Sequence, residues 1–312
     1  MRIATLLPSA TEICCALGLA NEIVAVTHEC DYPPEMRSRP VVVHPLVDSS
    51  RSSREINNQV DAAAGRGGSL YRIDAETLAA ARPDLVITQD LCHVCALPSM
   101  DVDAIAGSLR GSPRILRLHP HTLGDILEEI LQVGVATGRE PAARQVAARL
   151  RERIAHIEVA VRDLPRPRVF CMEWLDPPFC GGHWMPEIVG LAGGREVLGQ
   201  PGRPSVRVGW PEIIGAVPEI IVLTLCGFDV PRTLQEARRI ETSPEWRSLG
   251  AVRAGRVYAT DASSFFSRSG PRIVNGLEIL AAILHPEAAT WPTPPGSWVP
   301  VAAAPGPPIR AG

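Results

Sequence analysis

The sequence is poor in aromatic residues, which make up 4% of it, and it lacks any apolar run approaching the roughly 18 residues a membrane helix needs. The two best candidates are broken from within: Ile213–Leu225 by Pro218 and Glu219, and Ile273–Leu284 by Asn275 and Glu278. A membrane span is therefore not expected. Positive charge is also in short supply. With a formal net charge of -3 and no block of basic residues, the chain has nothing to track a phosphate backbone, and nucleic acid is excluded as a partner. No phosphate-cradling Walker loop, no Gly-x-Gly-x-x-Gly after a strand, no nucleophile elbow and no zincin motif occurs, so the common hydrolase, nucleotide and dehydrogenase templates find no purchase. Catalysis is left without a motif, and a non-catalytic role is favoured. The N-terminus runs straight into a folding segment, with no separate apolar leader and cleavage site, which predicts a cytoplasmic protein.

What is present is an ordinary globular stock: 312 residues, 46% apolar and 21% charged, enough for two domains with real cores. Residues 2–7 read as a strand, and Ser9-Ala10-Thr11-Glu12 is a capping box opening a helix that stops at Gly18. Further strands are expected at 22–26, 41–44, 84–88 and 114–118. Helices are expected after Asp74 and from Thr122, and a Gly/Ser-rich connection runs up to Ser69. Strands alternating with helices predict an α/β fold with a largely parallel sheet. From Pro141 to Asp163 there is no glycine, and Val146, Leu150, Ile154, Ile157 and Val161 recur at helical spacing, which predicts one helix roughly 35 Å long.

Beyond that helix the plan repeats. Glu187–Ala192 followed by Arg195–Leu198 echoes Glu12–Leu19 followed by 22–26. Likewise Asp74-Ala75-Glu76, leading through Arg82-Pro83-Asp84 to a strand and Cys92, echoes Trp210-Pro211-Glu212, leading through Val217-Pro218-Glu219 to a strand and Cys226. The expected organisation is an α/β lobe over 1–140, a linking helix over 141–163, a second α/β lobe over 164–285, and a tail over 286–312. The tail is rich in proline and alanine, too poor in periodic apolar residues to pack alone, and expected to be disordered except where Trp291 and Trp298 touch the body.

Ligands of open α/β sheets bind beyond the carboxyl ends of the strands. The loops expected there hold five of the eight cysteines and seven of the aromatics, namely Tyr32, Trp174, Phe179, Trp184, Phe228, Phe265 and Phe266. Half of the aromatic stock in segments that are normally polar points to a ligand with broad apolar faces. The competing reading is that individual rings plug the sheet ends. Cys92-His93-Val94-Cys95 admits three readings: a thiol-redox pair; half of a soft metal site, such as zinc, completed by His28 and Cys30; or thiols that line the ligand site or are simply buried. His183, behind Gly181-Gly182, is the candidate for axial approach to a bound metal chelate, against the alternative of a surface histidine. Cys14, Cys15 and Cys171 fall inside helix or strand patterns and read as core.

The opening Arg2–Glu12 segment with Ala16-Leu17-Gly18-Leu19, together with Arg82-Pro83-Asp84-Leu85-Val86-Ile87, resembles the vitamin B12-binding type of ABC-transporter substrate-binding proteins over roughly residues 2–285. That is the class III type of the helical backbone metal receptor superfamily. The resemblance implies two Rossmann-like lobes joined by a single long helix, with a corrinoid, haem or iron-siderophore in a cleft between them. It also implies that an acidic residue on each lobe docks onto arginines of a permease, with Glu76 matching that position in the first lobe and Glu212 the counterpart in the second. The missing leader and the Cys92–Cys95 and Cys180–Trp184 elements look like a signal-less branch labelled cobalamin-binding, for which a permease partner is doubtful. For a corrinoid ligand, Tyr32, Trp174, Trp184, Phe228 and Phe265 would supply flat walls and Ser9, Thr11, Asp229 and Ser264 the polar rim, while His183 or Cys92 would approach the metal. The alternative is a cytosolic metal or thiol-redox protein built on His28, Cys30, Cys92 and Cys95.

Overall fold

A computed structural model describes residues 1–66, 69–89, 107, 109 and 111–301. The chain falls into two compact units, the first formed by residues 1–155 with 268–274, the second by 156–267 with the segment from Asn275 onward. Both are α/β.

The first unit is built on a six-stranded sheet. Its strands are β1 (Ile3–Thr5), β2 (Ile23–Thr27), β3 (Val41–Pro45), β4 (Tyr71–Ile73), β5 (Leu85–Gln89) and β6 (Arg114–Leu118), in the order β4-β3-β2-β1-β5-β6. All pairings are parallel except β3 with β4. β1 and β5 are almost wholly buried, as central parallel strands covered on both faces must be, and their continuous apolar runs reflect this. The chain leaves β1 toward β2 and β3 on one side and later returns to β5 on the other, so the strand order reverses between β1 and β5. Helices α1 (Pro8–Ala16), α2 (Ser53–Ala64) and α3 (Ala75–Ala81) lie between these strands, and α4 (Leu123–Thr137) and α5 (Glu140–Val161) follow the last of them. α4 is closed by a reciprocal Thr122/Asp125 capping box at its start and by left-handed Gly138 at its end. At Gly134 the helix runs so close to α5 that a Cβ would overlap that of Ala143. α5 buries Val146, Leu150, Ile154, Ile157 and Val161 along one stripe, and the division between the units falls within it, after Ala155.

The second unit holds β7 (Arg168–Leu175), β8 (Pro178–Cys180), β9 (Arg195–Glu196), β10 (Ile220–Leu223), β11 (Val257–Thr260) and β12 (Trp298–Pro300). They are ordered β12-β11-β10-β7-β8, with β9 also on β7. β7, β9, β10 and β11 are parallel, whereas β8 and β12 are antiparallel to their neighbours. Helices α6 (Met185–Leu191), α7 (Trp210–Ala216), α8 (Val230–Ile240) and α9 (Ile273–Leu284) complete the main elements; α9 begins in the segment assigned to the first unit. Here the reversal of strand order lies between β7 and β10.

The repeat read from sequence has a matching atomic counterpart in each unit. Ahead of β1, the Arg2 N–H donates to Asp84 Oδ2 at 2.8 Å and Arg2 Nε to the Arg82 carbonyl at 3.2 Å and the Ala81 carbonyl at 2.8 Å, while the Asp84 N–H returns to the Arg2 carbonyl at 2.8 Å. At the start of β7, Arg168 makes the corresponding bonds with Glu219 Oε2, the Val217 carbonyl and the Glu219 N–H, each at 2.8 Å. α3 and α7 end in left-handed residues, Arg82 at φ 44° and Val217 at φ 48°, each followed by proline, the acid and the central strand.

Four expectations are corrected. The capping box read at Ser9–Glu12 is not formed, because α1 starts at Pro8 with Ser9 already inside it and the Glu12 carboxylate bound to arginines. The Gly/Ser-rich connection before Ser69 contains α2, whose Ser52/Glu55 capping box is fully formed. Trp174 and Phe179 lie not in a loop but in the β7–β8 hairpin, paired with each other. Part of the tail is ordered: β12 pairs with β11, Trp298 meets Tyr258 edge-on, and the Trp291 indole donates to the Glu278 carbonyl at 2.9 Å. Residues 302–312 lie outside the described residues.

Glu129 on α4 is buried and accepts the His119 N–H through one oxygen, while its other oxygen has no hydrogen-bond partner among the described residues. Burial pushes its carboxyl up to about 8, against the His119 N–H and with the help of Asp125. The unfolded chain's carboxyl titrates near 4.5, so between that pH and 8 the unfolded state sheds a proton the folded state keeps, and stability falls as pH rises through this window. Glu129→Gln should remove that slope and raise stability at pH 8 by ~2–4 kcal/mol. Denaturant melts of both proteins at pH 5, 7 and 8.5 check this, and parallel pH profiles would contradict it.

Candidate functional site

In the first unit the residues at the carboxyl ends of β1 and β2 are held by charge. Glu12, on α1 and buried, receives Arg268 Nη1 at 3.1 Å, Arg272 Nε at 3.0 Å and Arg272 Nη2 at 2.6 Å. Arg268 also reaches Asp31 Oδ1 at 2.7 Å and the Glu29 carbonyl at 3.1 Å, which secures the segment after β2. These side-chain bonds outweigh the desolvation cost that depresses the basicity of a buried guanidinium, and the Arg268 pKa is raised. Tyr32 follows directly. It is 45% exposed, and the Arg272 guanidinium lies 4.0 Å from its ring centroid. Ser9 is buried at the start of α1, where Ser269 Oγ approaches its hydroxyl at 3.3 Å.

Other candidates of this unit are structural. The Thr11 hydroxyl is fully buried, 2.7 Å from the Thr5 hydroxyl and 3.0 Å from Cys30 Sγ, so it is core and not part of a polar rim. Cys30 is buried among Thr11, the Thr27 hydroxyl and the Thr27 N–H, and burial pushes its thiol up despite those bonds, which favours the neutral form over a metal-binding thiolate. His28 is exposed, with Nδ1 3.1 Å from the Val43 carbonyl. Cys92 and Cys95 lie outside the described residues, so the four-ligand set is not seen as a whole. Among the described residues no group of three or more His, Cys, Asp or Glu is arranged to hold a metal ion. Cys14 and Cys171 are buried and Cys15 half-buried, all as free thiols, in keeping with their reading as core. Glu76 stands exposed in the first turn of α3.

In the second unit, Trp174 near the end of β7 and Phe228 after β10 meet with ring centroids 5.3 Å apart, at the point where the strand order reverses. Trp174 is half-buried and Phe228 is buried, with the Arg232 guanidinium 4.9 Å from its ring. Asp229 caps α8 by accepting the Arg232 N–H at 2.9 Å, and it remains exposed. Ser264 is half-buried, with its N–H on Asp261 Oδ1 at 2.9 Å, and Phe265 is buried against the backbone at Gly276. Trp184 is no exposed wall: it is buried, and its indole donates to the Phe266 carbonyl at 2.9 Å.

His183 has a left-handed backbone, φ 51°, fixed by its N–H to the Arg203 carbonyl at 2.5 Å and by the Gly202 N–H to its own carbonyl at 2.9 Å. Glu173 anchors the same loop by accepting the Gly182 N–H at 3.1 Å and the Ser205 hydroxyl, and a Cβ at Gly182 would overlap the Ser205 backbone. Glu212 is exposed, and its carboxylate accepts the Gly209 N–H at 2.6 Å. The anchoring roles of Glu12, Glu173, Arg268 and Arg272 do not follow from motif reading. Their only signal in sequence is charge placed on otherwise small or apolar stretches.

Comparison with known proteins bears on this arrangement. A family model described as "Periplasmic binding protein" matches residues 3–264. An uncharacterised ABC transporter substrate-binding lipoprotein of Bacillus subtilis is 24% identical over 298 residues, covering 92% of this chain and 80% of the relative. A vitamin B12-binding protein of Vibrio cholerae is 24% identical over 290 residues, covering 91% of this chain and 88% of the relative. The crystal structure of a periplasmic haem-binding protein from Pseudomonas aeruginosa shares the fold with a TM-score of 0.71 at 19% identity, covering 96% of this chain and 98% of the other. These findings overturn the expectation of a cytoplasmic protein and remove the support for a cytosolic metal or thiol-redox role. The expectation rested on β1 being a true strand, which it is, but a sheet strand says nothing about the compartment in which the sheet works. With a family match that spans most of its length, the chain belongs to the periplasmic binding protein family.

Proposed function

We propose that the protein is the substrate-binding component of an ABC transporter, acting outside the cytoplasm, and that its cargo is a corrinoid of the cobalamin kind or a related metal chelate such as haem. The names of its relatives, vitamin B12-binding and haem-binding proteins, support that ligand class. The observation that carries it is the Trp174–Phe228 pair at the strand-order reversal of the second unit. A chelate is a disc with large apolar faces, and a tilted aromatic pair beside the exposed carboxylate of Asp229 supplies both a flat contact and a polar group for its rim. Tyr32 offers a comparable surface on the first unit, with Ser9 and Ser264 as further rim candidates.

The role is binding without chemistry: the site holds its cargo and reacts with nothing. His183, half-buried on its pinned loop, is the residue proposed to approach the chelated metal; Cys92 is the alternative. For the permease partner, exposed Glu76 is the stronger docking candidate, because the Glu212 carboxylate is already engaged in capping α7.

Titration with cobalamin, cobinamide and haem, read by visible spectra and tryptophan quenching, tests the reading. Saturable binding of at least one chelate is expected, and Trp174→Ala should weaken it roughly tenfold. A spectral shift abolished by His183→Ala identifies axial ligation. No binding of any of the three at micromolar concentrations overturns the ligand class. Trp184→Ala should act differently, lowering unfolding stability by ~3–5 kcal/mol through loss of a buried ring and its hydrogen bond. A normal melting temperature for that variant would contradict the placement of Trp184 in the core.

A further inference from the structure

Glu12 and Arg272 have no place in the proposed ligand contacts, yet their geometry leads to one of them. The chain contains no lysine, so every one of its 31 basic side chains is an arginine. The distinction matters here because a guanidinium can grip a carboxylate along one edge while presenting a flat face to an aromatic ring, which an ammonium cannot do. Arg272 does both. Its Nε and Nη2 meet the two oxygens of Glu12 at 3.0 and 2.6 Å, and its guanidinium carbon stands 4.0 Å from the Tyr32 ring centroid. Glu12 is itself immobilised, being buried and also bound by Arg268. Arg268 in turn fixes Glu29 and Asp31, the residues that lead into Tyr32. Buried Glu12 faces both Arg268 and Arg272, and Asp31, at the surface, takes Arg268 and lies 3.8 Å from Arg37, so neither arginine is held without a carboxylate.

We propose that Glu12 and Arg272 are positioning residues that set the orientation of Tyr32, with the carboxylate fixing the guanidinium plane and the guanidinium covering one face of the phenol so that the other is presented to ligand. The proposal rests on the reading that Tyr32 contacts the chelate. A ring left at 45% exposure would otherwise sample several rotamers, and a ligand would have to order it on binding.

The test uses the full chain labelled with 3-fluorotyrosine, which places a fluorine on each of its three tyrosines, and assigns the Tyr32 resonance with Tyr32→Phe. In the ligand-free protein, Arg272→Lys and Glu12→Gln should shift or broaden the Tyr32 resonance and leave those of Tyr71 and Tyr258 in place. Chelate affinity should fall roughly fivefold in Arg272→Lys, and the same substitution should have no further effect in a Tyr32→Ala background. Arg272→Lys keeps the charge opposite Glu12 and so remains informative if Glu12→Gln fails to fold. An unmoved Tyr32 resonance in Arg272→Lys, or an equal affinity loss with and without the Tyr32 ring, overturns the proposal. If the wild-type protein binds no chelate, the ligand reading fails on its own, and the fluorine spectra of the ligand-free variants still decide whether Arg272 positions the ring.

Discussion

One buried carboxylate governs the geometry of the first unit's strand-end loops. Glu12 sits in α1, a helix otherwise made of small and apolar residues, and is bound inside the protein by two guanidinium groups that arrive from about 260 residues further along the chain. Removing both arginines would leave a buried carboxylate without a counter-ion, a situation that typically costs about 3–5 kcal/mol. The loop after β2, the start of α1 and the segment 268–274 are therefore one assembly. Tyr32 is held at its edge.

The second unit solves the same problem with less charge. Glu173 holds the loop before α6 through a backbone N–H and a hydroxyl, and a close backbone approach that only Gly182 permits completes the hold. Around this difference the two units share a frame, visible in the matched bonds of Arg2 with Asp84 and of Arg168 with Glu219. In both, an arginine at the beginning of the first strand or just before it is fixed to an acid ahead of the central one, and a left-handed helix end brings that acid into place. The acid differs by a methylene, so the arrangement has kept its bonding while its side chains changed.

How much of this could be read from sequence depended on how local its cause was. The parallel strands were legible because buried strands are unbroken apolar runs, and α5 because five apolar residues kept helical spacing over four turns. α2 was hidden by its polar composition, although its start carried Ser52 and Glu55 at capping-box spacing. β8 was hidden because Pro177 and Pro178 suggest a loop, whereas an antiparallel edge strand tolerates a proline at its first residue. Among the candidate site residues, Trp174, Phe228 and Tyr32 were singled out by residue type, since large rings in strand-end segments are unusual. Trp184 and Thr11 were misjudged for one reason: each lies where a site would be, and each spends its polar atom on the core, a fact that depends on a partner remote in the fold. The compartment was misjudged because folding physics is the same on both sides of a membrane.

The membership of residues 268–274 in the first unit has a consequence for the order of events in the cell. The unit whose synthesis begins first is not the one that can be finished first, because the counter-charges for Glu12 are among the last residues of the folded body to be made. Until they emerge, α1 carries an acid with no cation to receive it, and closing so long a loop is slow. A nascent chain of this design cannot complete the charge pairing of its first unit until residues 268–272 have been made, long after the rest of that unit.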